Sequence, residues 1–421
     1  MPERERGRTR TTVAALSAAG MLWAAAAAPS PAAAAECTDV RSLGAAGDGA
    51  ADDGAALQRA IDAVPAEGGT VCLPAGTYRI ARTLRIGAPD APRHGVTLEG
   101  RGAAAVIQSR SDTPVLAIEG SSDVSVRGLR LEAAPADPER HTPDDVGVLV
   151  TGSRDIRIAG NEFLGFAYAA VRWRSTDRIS VVGNRIEGGL SPGPGSGSNF
   201  RFGVVAYRSG AGHRGVTVEG NRIRGTTQAI VLGDDHRDVR ILGNLIDEVR
   251  GQHGIHLGAV RQAVIAGNRL RDLWADGIKV HAVATSAADG EDIRIEDNTV
   301  RGCPGTGIAV LRASGNARFH RLTVAGNRIE DVGRGIAVHA ASGVRLHGNR
   351  VVRATGDGIA LSDSSGTVAD NHLAAVDGLP VALCPLAREG ITLGRNRVEP
   401  HPRSAASPGA RANHPPTWRR P

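Results

Sequence analysis

Residues 238–246 read DVRILGNLI and residues 262–270 read QAVIAGNRL. Each is a short stretch of alternating apolar and polar residues, a Gly-Asn corner, and a second short apolar stretch. The same unit recurs as DIRIAGNEF (155–163), RISVVGNRI (178–186), GVTVEGNRI (215–223), DIRIEDNTV (292–300), RLTVAGNRI (321–329), GVRLHGNRV (343–351), GTVADNHL (366–373) and ITLGRNRV (391–398). The corner asparagines are Asn161, Asn184, Asn221, Asn244, Asn268, Asn298, Asn327, Asn349, Asn371 and Asn396, mostly 22 to 25 apart with longer steps where a loop is inserted. A fixed period with insertions confined to loops is the signature of a solenoid. Alternation with period two, and turns too short to hold a helix, make the unit a β-coil rather than a leucine-rich or ankyrin repeat. Ten coils stacked at about 4.8 Å give a rod of roughly 40 Å or more. The expected fold is therefore all-β, a single-stranded right-handed parallel β-helix, with the hand following from the bias of parallel crossovers. The asparagine column is read as structural, because Asn tolerates a left-handed corner and stacked amides can bond from coil to coil.

Working outward, residues 1–35 combine a cationic start (Arg4, Arg6, Arg8, Arg10), an apolar run from Thr11 to Ala28 and an Ala33-Ala34-Ala35 end. This is the pattern of a secretory signal peptide, and Thr9 between Arg8 and Arg10 removes the twin-arginine form. Residues 36–400 form the β-helix domain, and 401–421, rich in Pro, Ala and Arg, read as a disordered tail. The leader and the tail together carry the whole formal charge of +6, which leaves the body neutral. A neutral body with 3% aromatic residues argues against a nucleic-acid partner, and no later apolar run is long enough to span a membrane.

Residues 36–80 differ in kind. Asp52 or Asp53 can cap a helix near 53–64 whose Ala56, Leu57, Ala60, Ile61 and Val64 share one face. Such a helix would cover the open end of the solenoid. Cys37 and Cys72 bracket this cap and are expected to pair, since the strand after the signal peptide and the strand in GTVCLP should lie side by side. Cys303 and Cys384, roughly 14 Å apart at the coil spacing, are too distant for a bridge.

The stretches Gly47-Asp48-Gly49, Asp52-Asp53, Gly68-Gly69-Thr70-Val71 and Pro74-Ala75-Gly76-Thr77-Tyr78 resemble the N-terminal signature of the pectate-lyase superfamily of β-helices. That resemblance implies the same fold. It covers pectate and alginate lyases, uronan epimerases, polygalacturonase-like hydrolases and non-catalytic surface proteins, so function must come from the site.

The coils also align on a Gly-Ile step: AIVLGD (229–234), GIHLGA (254–259), GIKVHA (277–282), GIAVLR (307–312), GIAVHA (335–340) and GIALSD (358–363). With Ile pointing in, the next residue and the one two further on point out, forming a long surface for an extended carbohydrate polymer. In order this surface is expected to carry Arg172 and Arg174, Tyr207 with Arg208, then Asp234, Asp235 and His236, then His253 and His256, Asp276, Lys279 and His281, and finally Arg312, His339 and Asp363. Later coils fall back to Ala309, Ala337 and Ala360. Lys279 is the only lysine in the chain, and an amine can release a proton where a guanidinium cannot. The segments QHGIHLGA and DGIKVHA further resemble polygalacturonase motifs, with His253-Gly254-Ile255 in the first and Lys279 and His281 at the cationic positions of the second. The aspartate pair that family needs is replaced by Thr227 and Gln228.

The leading expectation is a secreted lyase that cleaves a uronate-containing polysaccharide by β-elimination. Lys279 or His281 would be the base, Tyr207 or His256 the acid, and Arg208 and Arg312 the charge partners. Arg172, Arg174, His253, Asp276 and His339 would complete the binding surface, and Asp234 and Asp235 could hold Ca²⁺. The alternatives are a C5-epimerase, a glycoside hydrolase built on Asp234, Asp235, Asp276 or Asp357, and a non-catalytic glycan-binding rod.

Overall fold

The computed structural model describes residues 37–111, 113–133, 144–188, 201–206, 213–233, 235–282, 289–312, 316–384 and 390–399. The leader and tail segments lie outside these. The chain winds into a right-handed parallel solenoid of about 12 turns. Three stacks of strands run its length. The first contains Gln228–Leu232, Ile255–Leu257 and Ile278–Ala282; the second His236–Leu242, Val260–Ala266 and Gly290–Glu296; the third Leu245–Val249 and Arg269–Leu273, continued by the first part of Thr299–Arg312.

Register is unbroken through the regular coils. Ile230 pairs with Ile255, Ile255 with Ile278, Ile278 with Ile308, Ile308 with Ile336 and Ile336 with Ile359, all parallel. Each of these isoleucines is fully buried. The period-two pattern of the sequence thus becomes a column of identical inward side chains, and a one-residue slip would turn every one of them to water.

The asparagines form a buried ladder. Asn244 donates through both its backbone N and its Nδ2 to Oδ1 of Asn268, at 2.9 Å each, and its Nδ2 also reaches the Val218 carbonyl at 2.9 Å. One detail of the corner differs from expectation. The left-handed conformation falls on the residue before the asparagine, Gly243 at φ 60° or Asp297 at φ 54°, and not on the asparagine itself. A glycine takes that φ without strain, and the amide of Asn is thereby left free to bond along the rod.

The cap is an α-helix over Gly54–Asp62, with Ala56, Leu57, Ala60, Ile61 and the following Val64 turned inward. Its N-cap residue is Asp53, but the Asp53 carboxylate makes no capping bond; it accepts from the backbone of Ala46 and Gly47 at 2.6 and 3.0 Å. Asp52 takes the capping part, accepting from Gly54 N at 3.0 Å. The two aspartates of the motif therefore divide the work, one holding the incoming loop and one the helix. Gly47 has φ 64°, and a Cβ there would come within 2.9 Å of the buried Tyr78 ring. The strand Cys37–Asp39 lies parallel to Gly69–Ile80, and the Cys37–Cys72 disulfide joins them with Cα atoms 5.8 Å apart. Cys303 and Cys384 are free.

Candidate functional site

The first strand stack presents two outward columns. Pairing of Val231 with His256, His256 with Lys279, and Lys279 with Ala309 puts the imidazole and the amine on consecutive coils of one column. The second column lies just before the Gly-Ile step. There Gln228, His253, Asp276 and Thr306 follow one another, because the isoleucines two residues later are paired.

These columns converge. Lys279 Nζ lies 3.3 Å from His253 Nε2 and 3.6 Å from Asp276 Oδ2. His253 Nδ1 is 3.2 Å from the same Oδ2 and 3.3 Å from the Asp276 backbone N. The His253 and His256 rings meet edge to face at 5.1 Å, and the His256 and His281 rings are 6.1 Å apart. Asp276 Oδ1 is occupied elsewhere, accepting from Thr306 N at 2.7 Å, so only Oδ2 faces the cluster. The side chains of His253, Asp276 and Lys279 are 11%, 15% and 19% exposed, enough to be reached from the groove and too little to be freely hydrated.

Burial pushes His253 down to about 3, helped by the charges of Lys279 and His281. Burial likewise takes His256 to about 3, with His253, Lys279 and His281 adding to it and Asp276 opposing. His281 is also lowered, by burial first and Lys279 second. All three imidazoles are therefore neutral near pH 7, and each carries a single ring proton. For His253 this matters. With the proton on Nδ1, it donates to Asp276 Oδ2 while Nε2 accepts from a Lys279 ammonium. With the proton on Nε2, Nδ1 accepts from the Asp276 backbone and Nε2 donates to a Lys279 amine. The two tautomers match the two charge states of Lys279, so the His253–Asp276 pair can follow a proton on and off the amine.

His256 Nδ1 lies 3.3 Å from Gln228 Oε1, a carbonyl that can only accept. The proton is then on Nδ1, and Nε2 is left as an acceptor. Gln228 is a site residue that sequence reasoning passed over, noticing it only as a replacement for an aspartate. Its signal was register, one coil before His253. Behind Asp276 the Cys303 thiol is buried and pushed up to about 12, chiefly by desolvation and then by the Asp276 charge, so it takes no part as a nucleophile.

The remaining expected residues separate into other places. Arg312 and His339 belong to a second cluster: Arg312 and Arg318 reach Asp363 Oδ2 at 3.5 and 3.1 Å, and His339 Nδ1 faces Ser362 Oγ at 2.9 Å. Arg312 pairs in register with inward Ala282, so it leaves the strand end rather than the outward column. Arg172 does point outward, yet it is 8% exposed, with its guanidinium 4.7 Å from the centre of the Tyr168 ring. Arg174 is exposed, on the same strand as Arg172 and thus four coils before Lys279. His236 is turned fully inward beside His213, with ring centres 4.8 Å apart, instead of extending the outer surface.

Tyr207, Arg208 and Asp234 lie outside the described residues. Asp235 is described, at φ 63° with its backbone N bonded to the Ala259 carbonyl at 2.9 Å. Among the described residues no group of three or more His, Cys, Asp or Glu is placed to hold a metal.

Comparison with known proteins agrees with the fold. The family model described as right handed beta helix region matches residues 114–321 and 253–402, and that described as rhamnogalacturonase A/epimerase, pectate lyase-like, matches 37–128. The mannuronan C5-epimerase AlgE4 of Azotobacter vinelandii is 33% identical over 124 residues, 29% of this chain and 19% of that protein. This chain spans a fifth or less of the length of the curated relatives it matches. Among solved structures, PfbA, a surface adhesin of Streptococcus pneumoniae, superposes with a TM-score of 0.58 at 15% identity, covering 86% of this chain and 92% of that one. The exopolygalacturonase of Thermotoga maritima gives 0.51 at 12% identity over 86% and 92%. At these identities the likeness is one of fold.

Proposed function

The chain belongs to the right handed beta helix family, and from that premise we propose that it is an exported enzyme of acidic polysaccharides, removing the C5 proton of a uronate unit and cleaving the chain by β-elimination. The observation that carries this reading is the meeting of Lys279 and His253 on one carboxylate oxygen of Asp276, with the neutral rings of His256 and His281 beside them. That set is rich in bases and poor in carboxylic acids. Glycoside hydrolysis needs two carboxyl groups, within about 10 Å even in the inverting geometry. Asp276 is the one carboxylate among the described members of this cluster, and Asp357, its counterpart, lies three coils on, at roughly 14 Å.

In the proposed step the Lys279 amine takes the C5 proton. The electron pair forms the C4–C5 double bond, the C4–O bond breaks, and the leaving oxygen is protonated. The ammonium that Lys279 has become can return that proton to the leaving oxygen, with His281 on the same face of the same strand to hold a sugar hydroxyl beside it; Tyr207 keeps the acid role on sequence grounds alone. The proton gained by Lys279 is accommodated by the His253 tautomer that donates to Asp276. His256, with Nε2 as an acceptor, orients a sugar hydroxyl beside the amine. The Cys37–Cys72 disulfide supports export, because such bonds persist in oxidising compartments.

An epimerase would share the first half of this sequence and return the proton to the opposite face. The similarity to part of a mannuronan C5-epimerase is the observation that keeps this second reading. A panel of polyuronates tests both. The lyase reading expects absorbance from a new double bond, lost in Lys279→Arg. Reducing ends without that absorbance would replace it by a hydrolase, and inverted C5 centres without cleavage by an epimerase.

A further inference from the structure

Away from this site, the third strand stack carries a groove of about 330 Å³ lined by Arg222, Leu245, Asp247, Arg269, Arg271 and Arg301, with Thr299 at one end. Arg222, Leu245, Arg269 and Thr299 are consecutive members of one outward column, so two guanidiniums stand one coil to either side of Leu245. Leu245 is 42% exposed, one of five exposed large apolar side chains among the described residues, and it stands between the two guanidiniums.

Charge distinguishes this groove. Arg271 is paired with Asp247 at 2.6 Å and Arg301 with Asp331 at 3.1 Å, whereas Arg222 and Arg269 form no ion pair among the described residues. A groove on the second stack, lined by Asp238, Arg240, Asp292 and Arg294, is balanced by comparison. Two guanidiniums without an ion pair flanking an exposed apolar side chain give this groove a local positive excess that the second-stack groove lacks. Arg222 and Arg269 are two coils apart, roughly 10 Å. In a polyuronate stretched along the rod, two units separated by one ring would set their carboxylates against the two guanidiniums and the less polar side of the intervening ring against Leu245.

We propose that this groove is a second binding site for an acidic polysaccharide, distinct from the catalytic columns and serving to hold the protein on its polymer. Nucleic acid is the less suited polyanion, because the groove offers no aromatic platform for bases. The inference stands on the groove and does not require the reaction proposed for Lys279.

Retention of the full chain on immobilised alginate and polygalacturonate, with dextran as the neutral comparison, tests it. Retention on the acidic columns only is expected, unchanged in Arg240→Glu of the balanced groove, weakened at least tenfold in Arg222→Glu/Arg269→Glu, and reduced by salt. Circular dichroism and the melting temperature of the double variant confirm that it is folded; both side chains are exposed, so little change is expected. Undiminished retention in the double variant, equal retention on dextran, or equally tight binding to single-stranded DNA would each overturn the proposal. Turnover is read separately, so loss of the lyase reading and loss of this one are distinguishable.

Discussion

Two coils of this rod contain the same Asp-Gly-Ile step, at Asp276-Gly277-Ile278 and at Asp357-Gly358-Ile359, and only the first has an amine and imidazoles crowded around its aspartate. In both, the aspartate Oδ1 accepts a backbone N–H one coil further on, from Thr306 at 2.7 Å and from Leu379 at 3.0 Å. In both, the isoleucine is fully buried. The aspartate is thus a structural device in each, bracing the corner of the next coil. The difference lies in what the register brings alongside. Asp276 has His253 before it and Lys279 and His281 on its strand; Asp357 has Arg334 before it and Ala360 and Ser362 on its strand. A repeat fold supplies the same scaffold at every coil, and a site arises where neighbouring outward positions are filled together.

The sharpest way to break that comparison is at the amine. Lys279→Arg keeps the charge and removes the removable proton, and turnover on a responsive polyuronate is expected to fall by about 10²–10⁴-fold, the usual worth of a general base. Asp357→Asn should leave turnover unaltered. Equal losses from the two would mean that the coils differ less than their neighbours suggest.

Removing the shared brace gives a second contrast. Asp276→Ala and Asp357→Ala each leave one corner N–H without its partner and should lower stability by about 1–3 kcal/mol, measured as urea midpoints. Only Asp276→Ala should also lower turnover, because Oδ2 is where the His253 tautomer is held. An unstable Asp276→Ala with full activity would reduce that residue to a corner brace.

A third contrast is a pH dependence that His253 and His256 bring to the coil beside Asp276. His253 and His256 stand at about 3 in the folded chain against 6.5 for a free histidine. Between those values the unfolded state binds protons that the folded state does not. Stability is therefore fully present above pH 6.5 and is lost as pH falls toward 3, by at most about 1.4 kcal/mol per histidine per pH unit. His253→Gln/His256→Gln should flatten that slope in a urea series at several pH values. An unchanged slope would place the acid sensitivity elsewhere.

The rod itself was legible from DVRILGNLI and its copies, because alternation, period and corner residues all constrain the same backbone. The cap helix and its disulfide were equally open, being local or tied to the chain's start. In the site, His253, His256, Asp276, Lys279 and His281 could be gathered from the Gly-Ile alignment alone. What escaped was what depends on side-chain reach across coils. The stacking of Tyr168 over Arg172, the diversion of Arg312 and Arg318 to Asp363, and the inward turn of His236 follow from packing at loops and corners, where alternation no longer says which way a residue faces. Gln228 was hidden for another reason: its role exists only through His256, one coil away.

The asparagine ladder has a direction. Each Nδ2 gives one proton back to a carbonyl of the coil before it and the other forward to the next asparagine: Asn221 to Val181 and Asn244, Asn244 to Val218 and Asn268, Asn268 to Ile241 and Asn298, and so on to Asn396, whose Nδ2 reaches the carbonyls of Val368 and Gly394. During synthesis the earlier coil emerges first, and the forward proton of its buried amide, with the asparagine backbone N–H, then has no acceptor until the next coil has been made. Every nascent coil is therefore incomplete on the side facing the ribosome and complete on the side facing the cap. Such a chain favours zippering from the helix at Gly54–Asp62 onward, with each arriving asparagine finishing the coil before it, and a chain truncated in mid-rod would end on an amide whose forward proton has lost its intended partner.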